Sequence, residues 1–248
     1  MPTVVDNLIA GTLWLHVPAG VLGVLVFWVP LVATKGGRLH RRAGWVFAAS
    51  MLVAGISAMI LSALRFAQAA SAPAGLTLAA AVTPLFFFNV GLLTLTSVHH
   101  ALRVLRQKGR TAPHQGTLDF ALVGALIACS TATMALGVAT RSVLLFTIPV
   151  IGVALGTQFF LTLCRRPRER MFWWFQHMIG MFSGCIAAIT AALVVNAGRV
   201  QSVVPLPAWL VWMGPTLLLV PILVAWISTY RRTFARDDSP SPASDAGA

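Results

Sequence analysis

Seven apolar stretches follow one another along this chain of 248 residues, and each is long enough to cross a membrane as a helix. About 20 apolar residues in a helix cover the ~30 Å hydrocarbon core of a bilayer. The stretches lie at residues 8–32, 42–67, 76–99, 118–140, 143–164, 172–196 and 209–230. We therefore expect an all-α fold, a polytopic membrane bundle of seven transmembrane helices.

The composition agrees with a membrane protein. Hydrophobic residues make up 58% of the chain and charged residues 10%, whereas charged residues are about 25% of a typical soluble domain. The formal net charge is +12, but the basic residues stand at the ends of apolar stretches. The lipid bilayer and its anionic head groups are the partners that this distribution favours, and nucleic acid is not.

The basic residues also predict how the chain is oriented. Fifteen of the eighteen Lys and Arg residues occur in four clusters, around residues 35–42, 103–110, 165–170 and 231–236. Connections rich in Lys and Arg stay on the cytoplasmic side of a membrane. We expect the N-terminus outside, the C-terminus inside and a multi-pass location in the plasma (inner) membrane. Residues 1–235 form the transmembrane domain, and residues 236–248 a disordered cytoplasmic tail that lacks large apolar side chains.

Ionisable side chains within apolar spans are costly and often functional. Here the candidates are histidines. His16 lies inside the first span, His177 lies near the start of the sixth, and His40, His99 and His100 lie near the same predicted inner face as His177. His114 belongs to the connection between the third and fourth spans.

Two neutral imidazoles from different helices, at one depth, are the ligands that a membrane haem b requires. His177 with His99 or His100 meets this depth requirement, and the nearby Met178 and Phe175 would line an apolar pocket. The same imidazoles are also ligands for a transition metal, although we expect no embedded carboxylate to complete such a site. Alternatively, the interfacial histidines contact lipid phosphate and water, and the deeper ones hydrogen-bond neighbouring helices.

Other polar residues leave the biochemistry open. His16 has no histidine at its own depth, so it suits a proton or quinone site rather than a second haem. Asn89, Gln158 and Asn196 would line a pathway or join helices. Asp119 and Glu169 stand beside Arg residues at the predicted inner edge, where local ion pairs account for them. No nucleotide-binding or hydrolase motif is present in the sequence, and catalytic residues cannot be assigned.

Two pairs of small residues have GxxxG spacing, Gly152 with Gly156 and Gly180 with Gly184. This spacing allows two helix backbones to approach closely. Packing inside a monomer is the interpretation that we favour, and a homo-oligomer is the alternative.

The connection after the first span reads KGGRLHRRAGW. Its glycines allow a tight reversal, and Lys35, Arg38, Arg41 and Arg42 would bind lipid phosphate as a basic turn. Together with LHVPAG of the first span, this stretch resembles the DUF 2306-like family of bacterial multi-spanning membrane proteins of unknown function. The matching residues are His16, Lys35, Gly36, His40, Arg41 and Gly44. The resemblance implies fold and location but no activity.

The sequence thus leaves two classes of function. One is a haem b- or quinone-linked membrane redox protein, with His177, His99, His100, His16 and His40 as candidate cofactor-binding residues. The other is a non-enzymatic small-molecule carrier or an assembly or sensory partner in the membrane. Its cavity would be lined by Asn89, Gln158 and the helix kinks expected at the prolines within the spans, namely Pro18, Pro30, Pro84, Pro149, Pro215 and Pro221.

Overall fold

The chain folds into a helical bundle. A computed structural model describes residues 3–73, 75–169 and 171–237, and the side chains only up to residue 234. Throughout this described part the secondary structure is helical, with turns and short connections. The helices are α1 (Val4–Val32), α2 (Arg38–Ala70), α3 (Leu78–Leu105), α4 (Thr117–Ala139), α5 (Val143–Cys164), α6 (Phe172–Val195), α7 (Ala197–Val203) and α8 (Ala208–Asp237).

Seven of these helices are long and apolar enough to span a membrane, which confirms the predicted fold class. The chain is a multi-pass membrane protein. The short α7, which the sequence pattern did not predict, connects α6 to α8. The predicted disordered tail began at residue 236; α8 continues to Asp237, and residues 238–248 lie outside the described residues.

Two predicted boundaries differ in a way that matters for the histidines. Helix α2 begins at Arg38 rather than at residue 42, and α3 ends at Leu105 rather than at residue 99. Basic residues at the membrane surface are compatible with a helix, and Arg103 in the last turn of α3 also faces the favourable negative end of the helix dipole. His40, His99 and His100 therefore all lie on helical backbone.

Helices α3 and α6 form the centre of the bundle. Helix α3 packs against α2, α4 and α6, while α1 packs on α2, α5 on α4 and α8 on α6. The largest apolar cluster joins Phe27, Phe47, Met51, Val98 and Phe182, which come from α1, α2, α3 and α6. Large apolar side chains on α1 and α8 remain exposed, as expected for helices whose outer surfaces contact lipid.

Both GxxxG pairs pack inside this chain. A Cβ atom on Gly180 would lie 2.5 Å from the carbonyl oxygen of Ser97, so α6 and α3 meet backbone to backbone. Gly152 and Gly156 of α5 face Ser130 and Ile127 of α4 in the same way. The small residues therefore hold neighbouring helices of one molecule together.

Candidate functional site at the basic face

Five of the six histidines lie at one end of the bundle. We call this end the basic face; α1, α3 and α5 end there, and it carries the connections 33–37, 106–116 and 165–171. His40 comes from the first turn of α2, His99 and His100 from the last two turns of α3, His114 from the connection before α4, and His177 from the second turn of α6. The bundle therefore gathers residues that are far apart in sequence.

His40 and His177 form a pair across α2 and α6. Their ring centroids are 6.5 Å apart, and the ring planes are inclined at 62°. Two imidazole nitrogens that bind one ion from opposite sides at about 2.0–2.1 Å place their ring centroids about 6 Å apart. The separation of this pair is close to that value.

The same ring nitrogen is anchored in both members of the pair. Nδ1 of His40 lies 3.1 Å from the carbonyl oxygen of Pro30, and Nδ1 of His177 lies 3.0 Å from the carbonyl oxygen of Ala101. Because a carbonyl oxygen only accepts, each Nδ1 carries the proton and donates it. In the neutral rings the lone pair is then on Nε2, and hydrogen bonds of this kind orient metal-binding histidines in proteins.

His99 and His100 use the opposite nitrogen. Nε2 of His99 donates to Oδ1 of Asp119 at 2.8 Å, and Nε2 of His100 donates to Oε1 of Gln176 at 3.2 Å. His100 is buried and stacks on Phe159 with ring centroids 4.0 Å apart. The Nε2 atoms of both histidines are therefore occupied as donors within the protein.

The sequence suggested haem b between His177 and His99 or His100. The packing of α6 on α3 argues against that arrangement. The Nδ1 atom of His177 bonds directly to the backbone of α3, and Gly180 brings α6 against Ser97 of the same helix. A porphyrin would have to separate two helices that meet backbone to backbone. The histidines whose ring separation is close to that of a two-imidazole donor set are His40 and His177.

Asp119 is more deeply buried and has more partners than the sequence indicated. It was expected to form local ion pairs at the membrane edge, and no embedded carboxylate was expected near the histidines. It does pair with Arg103, at 3.1 Å, but its side chain is only 6% exposed and also accepts bonds from His99 at 2.8 Å and from His114 at 2.5 Å. Asp119 thus links α3, α4 and the connection between them.

The spacing of these residues could have revealed the cluster. His99 and Arg103 are four residues apart on α3, so they share one helix face, and Asp119 lies in the first turn of α4. Since α3 and α4 are antiparallel neighbours with a short connection, the end of one meets the start of the other. The distances between side chains on different helices, however, are known only from the tertiary structure.

The connection between α3 and α4 is fixed to the end of α5. The backbone N–H of His114 donates to the carbonyl oxygen of Leu163 at 2.8 Å, and the Arg110 guanidinium donates to that of Thr162 at 2.6 Å. Burial lowers the pKa of Arg110 from its ordinary value. Gln107 donates to Nδ1 of His114, whose Nε2 is therefore the protonated nitrogen that binds Asp119.

The basic residues of the turn after α1 have two different roles. Arg38, Arg41 and Arg42 are exposed, in keeping with the expected contact with lipid head groups. Lys35 instead turns back to the end of α1, where Nζ donates to the carbonyl oxygens of Pro30 at 3.0 Å and Leu31 at 2.5 Å. The last carbonyls of a helix lack partners within the helix, so Lys35 caps α1.

His16 lies near the middle of α1, 16 residues before the end of that helix at the basic face. Its Nδ1 lies 3.0 Å from the carbonyl oxygen of Ala54 and 3.0 Å from the hydroxyl of Ser57, both on α2. It therefore has the same kind of anchor as His40 and His177. Its role in the structure is to join α1 to α2.

Asn89 also joins helices. It is fully buried in α3, and its amide donates to the hydroxyl of Ser130 on α4 at 2.9 Å. Asn196 bonds within its own helix, to the carbonyl oxygen of Ala192. For Asn89 the helix-joining role is thus the observed one.

The residues of the family-like motif build one hairpin. Gly36 has a φ of 76°, which favours glycine in the turn, Lys35 and His40 share the carbonyl oxygen of Pro30, and His16 joins the same two helices. Comparisons of the chain with protein-family models, with curated proteins and with solved structures found no match.

Proposed function

We propose that the protein is a haem b- or quinone-linked membrane redox protein whose ligand site is the His40–His177 pair at the basic face. The observation that carries this proposal is the geometry of the pair. Two imidazoles from different helices lie with centroids 6.5 Å apart, and each is anchored through Nδ1 to a main-chain carbonyl.

Both ligands require the same chemistry from the protein, namely lone pairs on two oriented imidazole nitrogens. Haem b, when bound, supplies one-electron chemistry at its iron. His40 and His177 would hold the iron through Nε2, and the carbonyl oxygens of Pro30 and Ala101 would keep the rings oriented. For a quinol, the same Nε2 atoms would accept the proton of a hydroxyl group.

Apolar and aromatic side chains stand near the pair and would contact a flat, largely apolar ligand. Met178 and Trp174, which flank His177 on α6, belong to the apolar cluster between α1, α2 and α6 or pack against it. Trp226 of α8 packs against the same cluster, and Lys35 lies 5.3 Å from the centroid of its ring. Aromatic side chains at a membrane interface offer apolar faces to such a ring.

The experiment compares three single variants of the purified protein. His40→Ala and His177→Ala remove the two proposed ligands. His16→Ala is the matched control, because it removes a histidine with the same Nδ1-to-carbonyl anchor, here to Ala54, outside the basic face. Visible spectra are recorded in the oxidised and dithionite-reduced states after expression in haem-replete cells, and bound quinone is measured in lipid extracts.

For a haem protein we expect a Soret band with reduction-sensitive α and β bands, lost in both ligand variants and retained in the control. For a quinone protein we expect a colourless sample with stoichiometric quinone and the same dependence on His40 and His177. A wild-type protein with neither ligand, or a ligand kept by both variants, would overturn the proposal.

We also propose that the chain belongs to the DUF 2306-like family and resides in the plasma (inner) membrane with its basic face in the cytoplasm. The support is the motif itself, whose residues His16, Lys35, Gly36 and His40 together form the α1–α2 hairpin. The clustering of basic residues at one end supports the orientation.

A further inference from the structure

A partly open cavity of about 60 Å³ lies among α3, α5, α6 and α8, away from the histidines of the basic face, and one of its lining residues, Val220, is 38% exposed. Its walls are mostly apolar and include Leu93, Leu155 and Ile186. Three hydroxyl-bearing residues also line it, Ser183 and Thr190 of α6 and Thr216 of α8. The cavity therefore places polar groups inside the membrane-spanning part of the bundle.

Two of these hydroxyls, like that of Thr96 on α3, lack the partner that most helical threonines in the described part of the chain have. The Oγ1 atoms of Thr190 and Thr216 are buried and have no hydrogen-bond partner among the described residues. A helical threonine commonly donates to the carbonyl oxygen four residues earlier. Seven threonines here do so, namely Thr12, Thr94, Thr133, Thr147, Thr162, Thr229 and Thr233.

A buried hydroxyl without a partner is costly in an apolar environment, and water usually satisfies such groups where there is room. One water molecule needs roughly 10–15 Å³ of cavity volume and two to four polar partners. The 60 Å³ cavity is large enough for a few molecules, and its walls supply the hydroxyls.

We propose that this cavity is a binding site for a small cluster of water molecules held by Thr190 and Thr216. Leu155 in its wall is one helical turn from Phe159, the residue on which His100 stacks. Thr190, however, lies 14 residues beyond Gln176, the hydrogen-bond partner of His100, so the bound water lies about 20 Å along the helix axis from the level of that buried imidazole. The cluster is a polar site deep in the membrane-spanning part of the bundle, separate from the basic face.

Radiolytic hydroxyl-radical labelling tests this directly, because radicals formed from bound water oxidise the side chains beside it. The full-length protein in lipid nanodiscs is irradiated, and oxidation is quantified by mass spectrometry. We expect Leu93, Leu155 and Ile186 to be labelled at least fivefold faster than Leu126 and Leu163, which are fully buried but do not line the cavity.

The double variant Thr190→Val, Thr216→Val keeps the side-chain shape and removes both hydroxyls. We expect its labelling at Leu93, Leu155 and Ile186 to fall to the level of the two reference leucines. Thr216→Ser, which keeps the hydroxyl, should retain the wild-type labelling and serves if the double variant does not fold. Equal labelling of cavity and reference residues in the wild type, or unchanged labelling without the hydroxyls, would overturn the proposal.

Discussion

The carboxylate of Asp119 on α4 accepts a hydrogen bond from His99 on α3 at 2.8 Å, and it does so where it is almost fully buried. Its second oxygen accepts from His114 and Arg103. A buried charge is stable only when such donors compensate its lost hydration. The group of four residues therefore fixes where α3, α4 and their connection meet at the basic face.

We expect Asp119→Asn to destabilise the protein by roughly 2–3 kcal/mol, because hydrogen bonds to a buried charged group are lost or weakened. Reversible unfolding in mixed micelles measures the change in the free energy of unfolding. Glu169→Gln is the matched control: Glu169 pairs with Arg231 at 3.1 Å, but the two side chains are 49% and 57% exposed. That control should cost less than about 1 kcal/mol, and an equal loss in both variants would contradict the assigned role of Asp119.

Gly180→Ala should destabilise the contact between α6 and α3. The added Cβ would lie 2.5 Å from the carbonyl oxygen of Ser97 and 2.7 Å from the Cβ of Ala101, so the helices must move apart. Overpacking of this kind costs about 1–3 kcal/mol. Gly124→Ala, on α4, is the control, because nothing lies within 4 Å of its added Cβ. The free energy of unfolding should be lower for Gly180→Ala than for Gly124→Ala. Comparable values for the two variants would show that α3 and α6 are not in close contact.

Removing the side chain of Lys35 should change how stability depends on pH. Burial lowers the pKa of Lys35 from its ordinary value. Between the lowered pKa of the folded state and the ordinary pKa of the unfolded state, the unfolded chain binds more protons, so the stability contribution of Lys35 rises with pH.

Lys35→Met should therefore show a smaller gain than the wild type as the pH rises from about 8 to about 10, a range below the ordinary pKa of lysine. It should also be less stable throughout, because the carbonyl oxygens of Pro30 and Leu31 lose their cap. Parallel stability curves for the two proteins would show that Lys35 has the same pKa in both states.

The orientation of the bundle can be tested with single cysteines. In a variant whose three native cysteines are replaced by alanine, we expect Gln201→Cys in α7 to react with a membrane-impermeant maleimide on intact cells. Gly109→Cys, at the basic face, should react only after the membrane is opened. Both positions are exposed in the structure. Labelling of Gly109→Cys on intact cells would reverse the orientation.

The sequence alone determined the seven spans, because length and hydropathy along one helix are local properties. It also located the histidines near a common end of the bundle, since depth follows from the distance to a span boundary. The turn at Gly36 could also be anticipated, from the conformational freedom of glycine, and so could the joining role of Asn89, from the tendency of amides to join membrane helices.

Only the tertiary structure decided which side chains meet. Hydropathy says little about how a membrane helix is rotated or which neighbour it has, because lipid and protein interior are similarly apolar. The pairing of His177 with His40 arises because α6 and α2 both pack against α3, and the burial of Asp119 follows from the antiparallel packing of α3 and α4. These are relations between helices, and no single span contains them.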